Sequence, residues 1–327
     1  MTDELLLGFG LPVSGSWATA SNMLHIAGMA ERLGYDSLWT FQRMLRPVSG
    51  SVGPEFEAVN NPAAGSIEDA PYHSVHDPLL PLAFVASATS RIRIGTATIC
   101  APFIAPSLLA KSVATIDVLS AGRFNLGIGI GWLPTEYAAA GIPYDRRGER
   151  MEEYLQCLEA VWTQDPVSFA GEFYRVPPSH VGIETVQRPH PPVLVGGAAP
   201  AALRRAGRLA QGWISGTGQD LRALGEKVDH VRAGAILGGK DPDSVRIVVR
   251  GVVDLTTEDP GVRRRPLQGT AEQIREDLRT LHGQGVTEVF FDLNFSPRAV
   301  AENVTAGEAV EYAEQVLNTF APTSPAA

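Results

Sequence analysis

The sequence predicts a (β/α)8 barrel. Eight short apolar runs, rich in β-branched residues, alternate along 327 residues with stretches of helical periodicity. The runs are apolar throughout instead of alternating, as expected for parallel strands covered by helices outside and packed against a barrel interior. The order strand, helix, strand, loop, helix is clearest over residues 91–162, the grammar of a parallel βα array.

Taken in order, residues 5–11 form the first predicted strand, ended by Pro12, and residues 16–33 the first helix. Ala20, Met23, Leu24, Ala27, Ala30 and Leu33 make its apolar stripe, and Gly34 stops it. Residues 35–41 are the second strand, with Gln42 and Arg43 just past its end. Periodicity then disappears from 44 to 77, a stretch of Pro, Gly, Ser, Asn and acidic residues. A connection this long that leaves the C-terminal end of a barrel strand is expected to be an active-site lid. Residues 78–88 are helical. Arg91-Ile-Arg-Ile-Gly-Thr-Ala-Thr-Ile begins the third strand, Leu109, Val113, Ile116 and Leu119 mark the next helix, and the stretch Ser120 to Trp132, which ends in alternating glycines, is the fourth strand. Met151, Tyr154, Leu155, Leu158, Val161 and Trp162 share one helical face. A small hairpin is expected around Gly171. Val193-Leu-Val is the fifth strand, 200–209 a helix, 212–216 the sixth strand, 220–237 a helix, and 245–255 the seventh strand. Thr270-x-x-Gln273 and Thr305-x-x-Glu308 are capping boxes that open the last two helices, with the eighth strand at 286–293 between them. Residues 321–327 are expected to fray, and the whole chain reads as one barrel domain.

Composition limits the function. A net charge of −9 argues against binding a phosphate backbone as the main activity, so no nucleic-acid partner is expected. No apolar run approaches a membrane span. The acidic start, Met1-Thr-Asp-Glu, is unlike a signal peptide. Cys100 and Cys157 lack a C-x-x-C spacing and read as reduced thiols, so a cytoplasmic protein is expected.

Some residues point to chemistry directly. Gly196-Gly197-Ala198 lies between an apolar strand and a helix. Small residues there bare backbone N–H groups beside a helix N-terminus, a local anion site in an acidic protein; the competing reading is an ordinary tight turn. Glycines 127, 129 and 131 are a poor dinucleotide fingerprint, because Trp132-Leu-Pro follows where a helix should start. They suit a strand that passes close to its neighbours or leaves room for a flat ring. In the lid, Tyr72, His73 and His76 are candidate proton donors. His73-x-x-His76 without a third ligand is not taken as a metal site, and none is expected. Arg146, Arg147 and Arg150 cluster at a helix start, either paired with Glu149, Glu152 and Glu153 or available to an anion.

Ile94-Gly-Thr-Ala-Thr98, Leu119-Ser-Ala-Gly-Arg-Phe-Asn-Leu-Gly-Ile-Gly-Ile-Gly-Trp132, Tyr144-Asp-Arg-Arg-Gly-Glu-Arg-Met-Glu-Glu153 and Pro192-Val-Leu-Val-Gly-Gly-Ala198 occur in an order that resembles the luciferase-like monooxygenase superfamily. The style is most similar to its coenzyme F420 (deazaflavin) branch. The resemblance implies a homodimer and a small-molecule substrate. It implies a cofactor phosphate at Gly196, Gly197 and Ala198, and cofactor contacts at Phe41, Ala97, Thr98, Gly131, Trp132 and Thr135, with a non-proline cis peptide at Ala97–Thr98. It departs at the end of strand two, where deazaflavin alcohol dehydrogenases have an acid–His pair and this chain has Phe41 and Gln42. Neither abstracts a proton at neutral pH. The implied reaction is therefore hydride transfer from reduced F420 to an activated C=C, C=N or C=O, with Gln42 as a substrate hydrogen-bonding group. The alternatives are an FMN-dependent monooxygenase using O2 and a non-catalytic flavin- or deazaflavin-binding protein. Bacterial luciferases carry an Arg near the end of the fourth strand, where Ile130 stands here.

Overall fold

The computed structural model describes residues 4–48, 70–262 and 264–322. Eight parallel strands form the barrel: β1 Leu6–Gly10, β2 Ser37–Thr40, β3 Arg93–Thr96, β4 Phe124–Gly129, β5 Val193–Gly196, β6 Gly212–Ile214, β7 Arg246–Gly251 and β8 Glu288–Phe291. Neighbours in sequence are neighbours in the sheet. β8 pairs with β1, and β3 pairs with β4 through Ile94↔Phe124 and Gly95↔Asn125, so the barrel is closed. Around it lie α1 Ala20–Arg32, α2 Leu80–Ala86, α3 Pro106–Leu119, α4 Arg147–Thr163, α5 Pro200–Leu209, α6 Gly225–Leu237, α7 Ala271–Gly283 and α8 Ala306–Thr319. Among the described residues, no helix is long and apolar enough to cross a membrane.

Local chemistry sets most of the boundaries. Both capping boxes form: Thr270 and Gln273 open α7, and Thr305 and Glu308 open α8. The hairpin forms between Val167–Ala170 and Arg175–Ser179. Three expectations change. The first helix starts at Ala20 because Thr19 caps it by accepting from the Asn22 N–H. α6 starts at Gly225, after a turn. The seventh strand ends at Gly251, and Asp254–Leu255 leaves the barrel to pair with Gln268–Gly269. Of the predicted 44–77 lid, residues 49–69 lie outside the described residues, as do 323–327 of the tail. The far end of that segment is packed: the His76 N–H donates to the Val13 carbonyl and Val75 bridges Ser14 after β1.

Inside the barrel, Trp39, Ala97, Leu194, Ile214, Val248 and Phe290 form a compact apolar plug. Towards the N-terminal ends of the strands it meets a polar network. Glu288 accepts from Ser37, from Trp39 Nε1 at 2.9 Å and from Arg246 Nη2 at 3.0 Å, while Arg246 Nη1 donates to Asn125 at 2.6 Å. A second apolar core lies between the strands and the helices. The lower barrel is filled, which leaves room inside the barrel towards the C-terminal ends of the strands, where barrel sites sit.

Gly127 shows why β4 needs a small residue. A Cβ there would lie 1.8 Å from the Thr96 carbonyl oxygen on β3. That carbonyl belongs to the backbone and cannot swing aside. Gly127→Ala is expected to destabilise the protein by about 3 kcal/mol by forcing the β3–β4 seam apart, read by urea unfolding. Gly129→Ala meets only the Thr98 hydroxyl at 3.0 Å and should cost visibly less.

Candidate active site

A cavity of about 550 Å³ opens at the C-terminal ends of the strands, within the usual range for small-molecule sites. Seven of the eight strands deliver residues to it, most as the chain leaves the sheet: Phe41, Gln42 and Arg43 after β2, Ala97 and Thr98 after β3, Ile130 to Trp132 after β4, Gly196 to Ala199 at β5, Ile214 to Thr217 at β6, Arg250 on β7 and Phe295 after β8. The Ala97–Thr98 peptide is cis. Gly131 has φ +69°, and a Cβ on it would lie 2.5 Å from Cys100 Sγ. The chain can therefore turn closely past the cavity only with glycine there.

One end of the cavity suits an anion. Gly196, Gly197, Ala198 and Ala199 lead into α5, whose N-cap is Ala199, with no side chain capping the first turn. The N–H groups of Gly197, Ala198 and Ala199 donate to no acceptor among the described residues. They present bare donors at the positive end of a ten-residue helix. Gly197 has φ +141°, a conformation that favours glycine.

Charge is concentrated beside the exit of β2. Arg43 Nη1 lies 2.8 Å from Glu136 Oε2, and both side chains are buried, at 7% and 5% exposed. The guanidinium stacks 4.7 Å from the Tyr72 ring centroid and 4.9 Å from that of Trp132. Glu136 Oε1 also accepts from the Met44 and Leu45 N–H groups at 2.7 and 3.0 Å. Glu136 thus fastens the start of the 44–48 segment to the loop after β4. Glu136→Gln removes the counter-charge of a buried guanidinium and is expected to cost about 3 kcal/mol. Limited trypsin digestion should then cut the Arg43–Met44 bond faster than in the native protein.

The arginine cluster is divided among three tasks. Arg146, with φ +54°, pairs with Glu149 and Glu172 at the surface. Arg150 stacks over Phe173 of the hairpin. Arg147 turns inward: its Nη1 donates to the Gly131 carbonyl at 3.1 Å, and it stacks 3.8 Å from the Tyr144 centroid. Arg147 lines the cavity and has no acidic partner among the described residues. Glu152 and Glu153, expected to pair with this cluster, serve elsewhere. Glu152 meets Arg205 and Arg208, and Glu153 accepts from the Glu172, Phe173 and Tyr174 N–H groups of the hairpin turn. A cation therefore does stand beside the end of β4, supplied by α4 and not by Ile130 of the strand itself.

Sequence reasoning missed Arg250 altogether. It projects from β7, and its Nη2 donates to the Ala97 carbonyl just after β3. Its Nε lies 3.2 Å from Asp292 Oδ2, with side chains 6% and 3% exposed. Burial pushes the Arg250 guanidinium down and the Asp292 carboxyl up, each opposed by the other's charge. The Phe41 and Phe295 rings flank the guanidinium, with centroids 5.6 and 4.8 Å away.

The expected site residues separate cleanly. Phe41, Gln42, Tyr72, Ala97, Thr98, Gly131, Trp132, Gly196, Gly197 and Ala198 all line the cavity. Gln42 already uses its Oε1 to accept from the Cys100 N–H at 2.6 Å. His73, His76 and Thr135 do not line it. His73 is on the surface, 3.9 Å from Glu302, and His76 Nε2 is 3.0 Å from the Ala18 carbonyl. The 70–77 stretch folds back on the chain after β1, which turns Tyr72 inward and both histidines outward. Thr135 lies in the short helix Pro134–Ala139, with its hydroxyl buried against protein. Cys100 lines the cavity, and burial, reinforced by Glu136, pushes its thiol pKa well up. Such a thiol stays protonated near neutral pH and is a poor nucleophile.

Comparison with known proteins fits this architecture. The profile of the luciferase-like monooxygenase family matches residues 8–259. An uncharacterized protein of Mycobacterium tuberculosis (strain H37Rv) is 36% identical over 192 residues, 58% of this chain and 65% of that protein. An FMNH2-dependent dimethylsulfone monooxygenase of Pseudomonas putida is 35% identical over 156 residues, 47% of this chain and 42% of that enzyme. The chain therefore spans less than two thirds of the length of the curated relatives it matches. Among solved structures, a monooxygenase from Streptomyces bottropensis superposes with a TM-score of 0.72 at 20% identity, covering 97% of this chain and all of that one (100%). The coenzyme F420-dependent tetrahydromethanopterin reductase of Methanopyrus kandleri gives 0.72 at 15% identity, covering 95% and 98%. At such identities the structural likeness speaks for the fold alone.

Proposed function

The chain belongs to the luciferase-like monooxygenase family, and on that premise we propose an oxidoreductase that uses reduced coenzyme F420 to reduce an activated C=C, C=N or C=O bond in a small organic substrate. The observation that supports this reading is the end of β2. Phe41 and Gln42 stand there, and the Gln42 oxygen is already committed to the Cys100 N–H. Glu136, the carboxylate lining the cavity, is taken up by Arg43 and two backbone N–H groups. Taking a proton from an alcohol needs a base within reach, and these groups offer none. Reduction by hydride needs a proton donor in place of a base, and Tyr72, whose side chain lines the cavity, would give the substrate its proton and regain it from solvent.

The residues fit a flavin-like cofactor. Gly197, Ala198, Ala199 and the start of α5 would hold its phosphate, and Arg147 would balance the charge of its anionic tail. Phe41, Ala97, Thr98, Gly131 and Trp132 would flank its ring system. When bound, the deazaflavin supplies the hydride. The protein's contribution is to position the two reactants and keep water away from them. Tyr72, Trp132 and Phe295 make that wall, and Arg43 stacked between Tyr72 and Trp132 fixes two of its rings.

A second reading, an FMNH2-dependent monooxygenase, is favoured by the Pseudomonas putida relative and by Arg147 beside the end of β4. Fluorescence titration with oxidised F420 and with FMN separates the two. The first reading expects micromolar or tighter F420 binding, much weaker FMN binding, and anaerobic oxidation of reduced F420 by an acceptor. The reverse preference with O2 consumption establishes the second. Binding of one cofactor without turnover by any acceptor leaves a non-catalytic binding protein. Binding of neither removes all three.

A further inference from the structure

We propose that Arg250 recognises the substrate, and that it selects neutral molecules carrying a polarised oxygen acceptor, such as a ketone, enone or sulfone, on a flat or apolar body. This deepens the function proposed above and rests on it for the identity of the reaction.

The argument begins with the unfilled hydrogen-bonding capacity of a buried cation. Arg250 lines the cavity, and its side chain is 6% exposed. Nη2 is engaged by the Ala97 carbonyl. Nε faces Asp292 Oδ2 at 3.2 Å but lacks hydrogen-bond alignment. Nη1 has no acceptor among the described residues. Nε is the buried, unpartnered atom, whereas Nη1 keeps accessible surface on a side chain that lines the cavity, and an unfilled donor on a charged, largely desolvated group is costly. An oxygen arriving there would complete the guanidinium's hydrogen bonds.

The surroundings define the rest of the ligand. Phe41, Tyr72 and Phe295 pack edge-on and tilted around the same place, with ring centroids 6.4, 4.8 and 5.9 Å apart. Together they offer an apolar wall for a planar or hydrocarbon body. Local charge then decides between an anion and a neutral acceptor. Among the described residues, Arg43 is balanced by Glu136 and Arg250 by Asp292, while the charge of Arg147 has no acidic partner. That charge lies across the cavity, docked on Gly131 after β4. A full anion on Arg250 would bring a net negative charge into a dry site whose cation already has its partner. A neutral carbonyl or sulfonyl oxygen brings only a dipole and gains a charge-assisted hydrogen bond.

The test uses three probes of one shape: acetophenone, α-methylstyrene (the isostere with CH2 in place of oxygen) and benzoate. Binding to the full-length protein is measured by ligand-observed NMR, with and without saturating oxidised cofactor. The native protein is expected to bind acetophenone at least tenfold more tightly than α-methylstyrene, and no more weakly than benzoate. In Arg250→Met, and in the charge-balanced Arg250→Met/Asp292→Asn variant should the single change not fold, the oxygen preference should fall to within twofold of unity. Cofactor affinity should change by less than threefold. Persistence of the preference without Arg250, its absence from the native protein, or benzoate binding tenfold more tightly than acetophenone would each overturn the proposal. So would a variant that keeps the preference but loses cofactor, because the guanidinium would then serve an oxygen of the cofactor ring. An intact acetophenone preference in a protein that binds neither F420 nor FMN leaves the Arg250 inference standing and removes the proposed function.

Discussion

Asp292→Asn is expected to lower stability by about 3–5 kcal/mol, a large effect for a change that preserves side-chain shape. Arg250 and Asp292 are both buried, at 6% and 3% side-chain exposure. Among the described residues, Asp292 is the acidic group within ion-pair distance of the guanidinium. Removing the carboxylate charge leaves a cation in a low-dielectric interior, whereas the Asn294 hydrogen bonds to Asp292 Oδ1 can survive the exchange. Urea unfolding with an unchanged m-value should show the loss as a lower midpoint. Arg250→Met/Asp292→Asn should recover more than half of it, because the double variant buries no unpaired charge. A loss below about 1 kcal/mol in the single variant would show that the pair carries little charge in the folded protein.

Ala199→Asp is expected to move stability and cofactor binding in opposite directions. Ala199 is the N-cap of α5 and makes no side-chain cap. Aspartate is among the best N-cap residues and should add about 1 kcal/mol of stability by accepting from the first-turn N–H groups. The same carboxylate would occupy the donors assigned to the cofactor phosphate and repel its charge. Repulsion of ~3 kcal/mol at this short range and intermediate dielectric corresponds to a roughly 100-fold loss of affinity. A thermal melt together with a fluorescence titration reads both. Unchanged affinity in a more stable protein would mean that Gly196-Gly197-Ala198 is an ordinary strand-to-helix turn.

How much was legible differs sharply between the framework and the site. The barrel could be read because its signals are local. Strand runs, helical stripes and the Thr270 and Thr305 capping boxes each depend on residues within a few positions, and the structure keeps them with boundary shifts of a few residues. Gly127 belongs with these, since a glycine inside an apolar strand already implies a close neighbour. The small residues at Gly131 and Gly196–Ala198 were also visible, because a turn next to a helix start has its own composition. His73 and His76 misled, since their side chains promise chemistry wherever they lie. Only the bridging of Val75 to Ser14 settles which way that stretch faces.

The sequence by itself determined the eightfold alternation, the capped helices and the small-residue turns, because each is an agreement among neighbours along the chain. The tertiary structure alone decided the charges of the site. Arg43 meets Glu136 across 93 residues and Arg250 meets the Ala97 carbonyl across 153. Arg147 reaches the cavity only because α4 starts beside the Gly131 turn. The sequence marks Arg147 as one of a cluster at a helix start and Arg43 as the end of a strand, but nothing local names their partners, and nothing local marks Arg250 at all. A guanidinium gains its role from desolvation and from the acceptors that closure of the barrel brings to it, and both arise only when distant strands meet.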